Sequence, residues 1–98
     1  MSRVLFRVSY TIPDGKRSEY LMLVRKLHSF YAANAVDYSV FEDNTTHNHF
    51  QETYIYPSIE AYEASDDPDN TREIADVLDA VYSMADNVVY NVAKEVTW

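Results

Sequence analysis

The sequence predicts a single α+β domain whose elements follow the order β-α-β-β-α-β. Three observations support this prediction. Residues 3–12 and 88–97 alternate between apolar and polar side chains, with the period of two that a strand has. Residues 16–33 and 70–85 repeat apolar side chains at the three- and four-residue spacing of a helix. Between these helical segments, a short polar turn separates two further alternating stretches, which predicts an antiparallel hairpin.

The first half of the chain is expected to hold a strand, a helix and a second strand. The first strand covers 3–12, and Pro13-Asp14-Gly15 ends it as a turn. The helix follows over 16–33, and Asn34 is a residue type able to end it in a left-handed cap. The second strand is predicted over 35–42, with period-two alternation.

The hairpin continues into a third strand and a short helix. Residues 43–46 are Asp, Asn and Thr, which favour local bonds from side chain to backbone and so indicate a turn. The third strand is predicted over 47–56, where Pro57 ends it. Ser58 is then placed to cap a helix over 59–64.

The last quarter of the chain predicts a longer helix and a final strand. Asn70 with Glu73 resembles a capping box, which would start a helix that runs to about Ala85. Asp86-Asn87 is expected to break this helix, and a strand is predicted over 88–97.

This order of elements is that of the ferredoxin-like fold. Right-handed crossovers place strands one and three at the centre of an antiparallel sheet and put the helices on one face. The helix-free face combines polar residues with apolar ones. Apolar patches of this kind usually mark a partner surface, and two-fold symmetry lets one patch cover itself. We therefore expect a homodimer through the helix-free sheet face, whose apolar residues are Leu5, Phe41, Ile55, Val89 and Ala93.

Composition limits the possible functions. The 98 residues suffice for one domain over 1–98, and an apolar share of 47% is enough for a core. The net charge of −8 opposes binding to nucleic acid, which needs clustered Lys and Arg. The apolar runs are too short for a membrane span, and the alternating N-terminus lacks the core of a signal peptide, so a cytoplasmic location is expected. The absence of Cys excludes disulfides and thiolate metal sites.

Two segments resemble the dimeric α+β barrel superfamily, which includes the antibiotic-biosynthesis monooxygenases. One is the junction at Pro13-Asp14-Gly15, and the other runs from Asn48-His49-Phe50 through Glu52 to the helix over 59–64. The resemblance implies a dimeric barrel with a small-molecule pocket in each subunit, between sheet and helices. It also implies an activity on aromatic or quinone-type compounds that uses no metal or flavin, so no cofactor is expected.

A haem-degrading branch of that superfamily uses an Asn on strand one, a Trp ending strand three and a His in the helical region that follows. In this chain the first two positions fall on or near Val8 and on Tyr56, and residues 57–98 contain no His. The resemblance therefore does not extend to haem degradation.

Glu52 is the candidate catalytic residue. Its strand position places it on the helix-facing side of the sheet, where a carboxylate among aromatic rings would have a raised pKa, as a proton-abstracting base needs. The candidate substrate-binding residues are tyrosines of the same side, which could line a pocket or simply fill a core: Tyr10, Tyr38, Tyr54, Tyr56 and Tyr90. The structural alternative for Glu52 is a carboxylate satisfied by a Tyr hydroxyl or an Arg.

The remaining metal candidates are weak. His47 and His49 would share one face of a strand, but His28 lies on a helix, so no three-histidine zinc site is expected. The acidic stretch 66–70 lacks the glycine and the distal glutamate of an EF-hand loop and is expected to be a solvated loop.

Two functions remain open from the sequence. One is a cofactor-independent monooxygenase-like enzyme, and the other is a non-catalytic binding or stress-associated dimeric barrel. An enclosed pocket that touches Glu52 favours the enzyme, and a packed interior favours the binding protein.

Overall fold

An antiparallel four-stranded sheet, covered on one face by helices, forms the architecture. It was obtained as a computed structural model, which describes residues 2–66 and 68–98. The strand order β2-β3-β1-β4 puts the first and third strands at the centre, so the predicted ferredoxin-like α+β fold is confirmed. The elements are β1 (Val4–Thr11), α1 (Arg17–Ala33), β2 (Asp37–Glu42), β3 (His49–Tyr56), α2 (Ile59–Ala64), α3 (Ala75–Met84) and β4 (Asp86–Lys94).

The register of β1 against β3 decides which residues enter the core. Val8 lies opposite Glu52, and Tyr10 lies opposite Phe50. Because successive side chains of a strand point to opposite faces, these residues and Tyr54 share the side that the helices cover. All five are buried.

Helix α1 supplies most of the cover. Its buried stripe is Tyr20, Val24, Leu27 and Tyr31, at the spacing that the sequence predicts. Full burial of an apolar side chain of this size stabilises a fold by about 1.5–3 kcal/mol. Helix α3 adds Val81, which is fully buried against the same core.

The helix-free face of the sheet is only partly shielded. Leu5 and Ile55 at its centre are half-buried, whereas Phe41 on β2 and Val89 on β4 are 58% and 59% exposed. An apolar patch is therefore present on this face, as the sequence predicts.

The end of α1 differs from the prediction. Asn34 is not left-handed (φ −104°); its side-chain amide instead donates to the Phe30 carbonyl at 2.8 Å. Ala35 takes the left-handed conformation, with φ 57°. The second strand therefore starts at Asp37 rather than at residue 35, because Ala35 turns the chain.

The third strand is two residues shorter than predicted. His47 and Asn48 form a turn, so His47 and His49 do not share a strand face. Asn48 is left-handed (φ 62°) and buried, and its side chain is held on both sides. Arg17 donates to Asn48 Oδ1 at 2.7 Å, and Asn48 Nδ2 donates to Asp14 Oδ1 at 3.1 Å.

Two predicted helix starts have different outcomes. Ser58 caps α2 as predicted, because its hydroxyl oxygen accepts from the Ala61 amide at 3.1 Å. The prediction of a capping box at Asn70 is wrong, because Asn70 Nδ2 donates to the Ala64 carbonyl. Two short 3₁₀ turns precede α3, which begins at Ala75. The acidic stretch 66–70 includes Asp67, which lies outside the described residues.

Asp86 and Asn87 do not separate α3 from the last strand, because both belong to β4. Ser9 pairs with Val89 and Thr11 with Asp86, so β4 carries one residue more than β1 across this interval. This is a β-bulge, and Asn87 accommodates it with a left-handed φ of 57°. The strand ends at Lys94 instead of Thr97.

Candidate functional site

The Glu52 carboxyl group lies at the centre of the sheet, with no exposed surface. Three phenol hydroxyls donate to it. Tyr10 Oη donates to Oε1, whereas Tyr54 and Tyr82 both donate to Oε2, at 2.8 and 3.3 Å. The donors come from β1, β3 and α3, so the site forms only when α3 packs onto the sheet.

Burial controls the ionisation of this site. Desolvation raises the pKa of Glu52 above its ordinary value of 4.5, and the hydrogen bonds from Tyr10, Tyr54 and Tyr82 act in the opposite direction. The same burial, followed by the nearby Glu52 charge, raises the pKa of Tyr10 and of Tyr54. The phenols are therefore neutral donors, and Glu52 is the group of the cluster that can accept a proton.

A second layer of phenols surrounds the first. The hydroxyls of Tyr10 and Tyr20 are 2.8 Å apart, which extends the hydrogen-bonded chain toward α1. The Tyr38 hydroxyl is different: within the described part of the chain it has no hydrogen-bond partner, although it is buried. It lies near enough to Glu52 to lower the pKa of that carboxyl group, but it makes no hydrogen bond of ordinary geometry.

An aromatic cleft of about 230 Å³ opens next to this cluster. Tyr54 and Tyr82 belong both to the cleft wall and to the shell around Glu52. Glu52 itself does not line the cleft, so the cleft is not a pocket touching Glu52 of the kind that favours an enzyme. The other aromatic residues of the wall are Phe6, Tyr31, Tyr56, Tyr62 and Tyr90.

The predicted site residues divide into two groups. Tyr10, Tyr38 and Tyr54 surround Glu52, as their shared sheet face implies. Tyr56 and Tyr90 make no hydrogen bond to Glu52 but line the aromatic cleft. Tyr90 lies on the helix-facing side, opposite Val8, yet it is 62% exposed, because the helices do not reach over β4.

Two phenols of the site are not among the residues that the sequence predicts. Tyr20 lies on the apolar stripe of α1, which indicates a core residue, and that stripe faces Glu52. Tyr82 follows Leu78 by four residues and Ile74 by eight, and residues at this spacing share a helix face. This spacing is the signal by which Tyr82 could have been found.

The histidines and acidic residues form no metal-ligand cluster among residues 2–66 and 68–98. His49 Nδ1 lies 3.2 Å from the Thr11 hydroxyl, and His47 lies near the carboxylates of Asp14 and Glu42 at the hairpin end. In the same described part of the chain, no helix has the length and apolar content needed to cross a membrane.

The fold is that of a ferredoxin-like domain, and solved structures share it over nearly the whole chain. The chain is similar to a proposed antibiotic biosynthesis monooxygenase from Caulobacter crescentus, with a TM-score of 0.78, 15% identity, and coverage of 98% of this chain and 92% of that one. It is similar to a dimeric ferredoxin-like protein from an uncultured marine organism, with a TM-score of 0.75, 8% identity, and coverage of 100% and 91%.

A third similar structure is a mutant form of SnoaB, a cofactor-independent oxygenase from Streptomyces nogalater; the TM-score is 0.71, the identity 10%, and the coverage 99% and 94%. No family model matches the chain, and no curated protein matches it in sequence. These similarities confirm the predicted ferredoxin-like fold.

Proposed function

We propose that this protein is a cofactor-independent monooxygenase-like enzyme that acts on aromatic or quinone-type compounds in the aromatic cleft. The observation that carries the proposal is the shared position of Tyr54 and Tyr82. Both face the cleft, and both donate to Glu52 Oε2. A buried base is thereby connected to a cavity that suits flat rings.

In this proposal Glu52 acts through a phenol rather than by contact with the substrate. A substrate hydroxyl, or a C–H acidified by neighbouring rings, gives its proton to the oxygen of Tyr54 or Tyr82. The same tyrosine passes its own proton to Glu52, so no free tyrosinate forms. This order of proton transfers agrees with the raised pKa of both Tyr54 and Tyr82, since neither phenol needs to ionise.

The deprotonated substrate is then electron-rich enough to react with O₂, the oxidant of the reaction. Oxidation of a ring CH₂ to a carbonyl places one oxygen atom in the product. The other oxygen atom leaves as water with the two hydrogens of the CH₂ group. The substrate supplies all the electrons that this balance requires. The protein binds the ring, excludes water and accepts the first proton.

Oxygen consumption with anthrone, which has an acidic CH₂ between two rings, tests the proposal. We expect uptake by the wild-type protein to rise with pH as Glu52 ionises. Glu52→Gln should lower the rate roughly 100-fold, since general base catalysis contributes about 10²–10⁴. Binding, followed as a thermal shift with anthrone, should persist in this variant.

Tyr82→Phe tests the role of the phenol, and Tyr90→Phe is its matched control. Both remove one hydroxyl from the cleft wall, but only Tyr82 donates to Glu52. Tyr82→Phe should slow the reaction, whereas Tyr90→Phe should stay within about twofold of wild type, because it breaks no link in the relay. Equal rates for wild type and Glu52→Gln would remove Glu52 from the mechanism.

One observation favours a second function, a non-catalytic binding barrel. Glu52 has no exposed surface and already accepts three hydrogen bonds, which is also what a structural buried carboxyl needs. In that case anthrone would raise the melting temperature of the wild-type protein, and no variant would differ from the uncatalysed rate of oxygen uptake.

We also propose that two copies pair through the helix-free sheet face. The support is the apolar surface of the helix-free face. Phe41 and Val89 on its outer strands are exposed, and Leu5 and Ile55 at its centre are half-buried. A two-fold axis would let each patch cover the other. Cytoplasmic location remains part of this proposal.

A further inference from the structure

A second cleft, of about 330 Å³, lies between the end of α1 and helix α2. Its wall is mostly apolar and includes Phe30, Val36, Ile55, Pro57, Ala61 and Ala64. Nothing in the proposed oxidation uses this cleft. However, it shares three wall residues with the aromatic cleft, which are Tyr31, Tyr56 and Ser65.

Tyr56 and Tyr31 are both buried core residues, but Tyr56 contacts two other aromatic rings whereas Tyr31 contacts three, so Tyr56 is the better of the two to replace. Tyr31 belongs to the buried stripe of α1 and contacts the rings of Tyr38 and Tyr54 at 4.9 and 5.3 Å. Ser65 is small, and its hydroxyl donates to the Tyr62 carbonyl at 2.5 Å. Removing either of these two side chains would disturb the core or gain little space.

Tyr56 is the last residue of β3, opposite Val4. Its ring is parallel to that of Tyr54 within 5°, with 6.4 Å between centroids, and it meets Tyr62 edge-on at 5.6 Å. It is therefore fixed across the boundary of the two clefts. Its side chain lines both the aromatic cleft and the apolar one.

We propose that the two clefts are subsites of one elongated groove and that Tyr56 sets how far a ligand extends along it. The aromatic subsite takes a fused-ring phenol. The apolar subsite takes an alkyl chain attached to that ring, once the side chain at position 56 is small. Tyr56 is thus a specificity-determining residue that limits the wild-type protein to short ligands. This inference rests on the proposed function for the identity of the ring.

The test compares 1-naphthol with 4-hexyl-1-naphthol by calorimetry in wild type, Tyr56→Ala and Tyr56→Phe. In the wild-type protein we expect the hexyl chain to change the dissociation constant by less than about threefold. In Tyr56→Ala the chain should tighten binding at least tenfold, because its methylenes leave water. Tyr56→Phe keeps the ring and should behave as the wild type does.

An equal gain from the chain in wild type and Tyr56→Ala would overturn the inference, as would no gain in either. A crystal structure of Tyr56→Ala is a second test. One continuous groove in that structure would support the role of Tyr56 as the barrier between the clefts, and two separate clefts would refute it. If 1-naphthol binds to none of the proteins, the proposed function fails, while the crystal structure still decides the role of Tyr56. Tyr56→Leu replaces Tyr56→Ala in both measurements if the alanine variant does not fold.

Discussion

Glu52 and Tyr54 lie two residues apart on one face of β3, and the Tyr54 hydroxyl donates to Glu52 Oε2 at 2.8 Å. The pair is local in sequence, yet both side chains are buried. Alternation along a strand brings them to the same side, and the helices above then remove water. A carboxyl group and its donor are thereby buried side by side, and the donor also lines the aromatic cleft.

The burial of Glu52 makes stability depend on pH. Because its pKa is raised in the folded state, the folded protein holds this proton more tightly than the unfolded chain does. The stabilisation is fully present below the unfolded pKa of about 4.5 and is lost as pH rises through the folded pKa. Each unit of pKa difference corresponds to about 1.4 kcal/mol.

Urea unfolding from pH 4.5 to 9 checks this prediction. The free energy of unfolding of the wild-type protein should fall relative to that of Glu52→Gln as pH rises, because Gln carries no titrating proton. Glu42 cannot mimic the effect: the hydrogen bond from Arg17 and the one from the Asn48 amide lower its pKa to about 2, so its stabilisation is lost at acidic pH instead. Parallel curves for the two proteins would contradict the assignment.

Two Tyr→Phe variants should separate bonded from unbonded hydroxyls. Tyr54→Phe removes a donor to a buried carboxyl and should cost about 1–3 kcal/mol of stability. Tyr38→Phe removes a buried hydroxyl that has no hydrogen-bond partner in the described part of the chain, and should be neutral or slightly stabilising. Chemical denaturation of the wild-type protein and both variants at one pH gives both values. A loss in Tyr38→Phe as large as that in Tyr54→Phe would show that Tyr38 is bonded in solution.

Asn48 combines a left-handed backbone with a side chain bonded to Arg17 and Asp14. Asn48→Ala loses both bonds and keeps an unfavourable φ, so we expect a cost of about 2–3 kcal/mol. Asn48→Gly loses the same bonds but adopts this φ freely, and it should cost less. Thermal unfolding of the two variants measures the difference. Equal losses would mean that φ at position 48 contributes nothing.

The dimer proposal has a closely matched pair of variants. Phe41 on the helix-free face and Met22 on α1 are each 58% exposed. Phe41→Glu should shift the protein to monomers in light scattering at micromolar concentration, because two-fold pairing brings the new charges into a buried interface. Met22→Glu adds the same charge away from that face and should leave the mass unchanged. A monomeric wild-type protein would end the proposal.

The face assignments could be predicted because they follow from local patterns, and the sheet order could be predicted from the order of elements and the handedness of their crossovers. Alternation in β1 and β3 fixes which side of each strand is apolar, and the short turn at 43–46 fixes the hairpin. These patterns also placed Glu52 among Tyr10, Tyr38 and Tyr54. Alternation sets the face of each residue, and the hairpin and the right-handed crossover rule set which strands are neighbours.

The missed features depend on contacts between distant parts of the chain. Asn48 reads as a strand residue, but its bonds to Arg17 and Asp14 hold it in a turn. Asn87 reads as a helix breaker, but pairing with β1 absorbs it as a bulge. The spacing within α3 places Tyr82 on the apolar face of the helix, but its bond to Glu52 also requires α3 to pack onto the sheet, which that spacing alone does not predict. The exposure of Tyr90 could not be predicted for the same reason, since it depends on how far the helices extend over β4.

Trp98 is the one tryptophan of the chain, and it is fully exposed at the end of the described residues. Its emission should therefore already resemble that of indole in water while the protein is folded, and it should change little on denaturation. The buried tyrosines, in contrast, are held in fixed orientations and should give a strong near-ultraviolet circular dichroism signal. A blue shift of the Trp98 emission would instead report that some surface, such as a second subunit, has covered this residue.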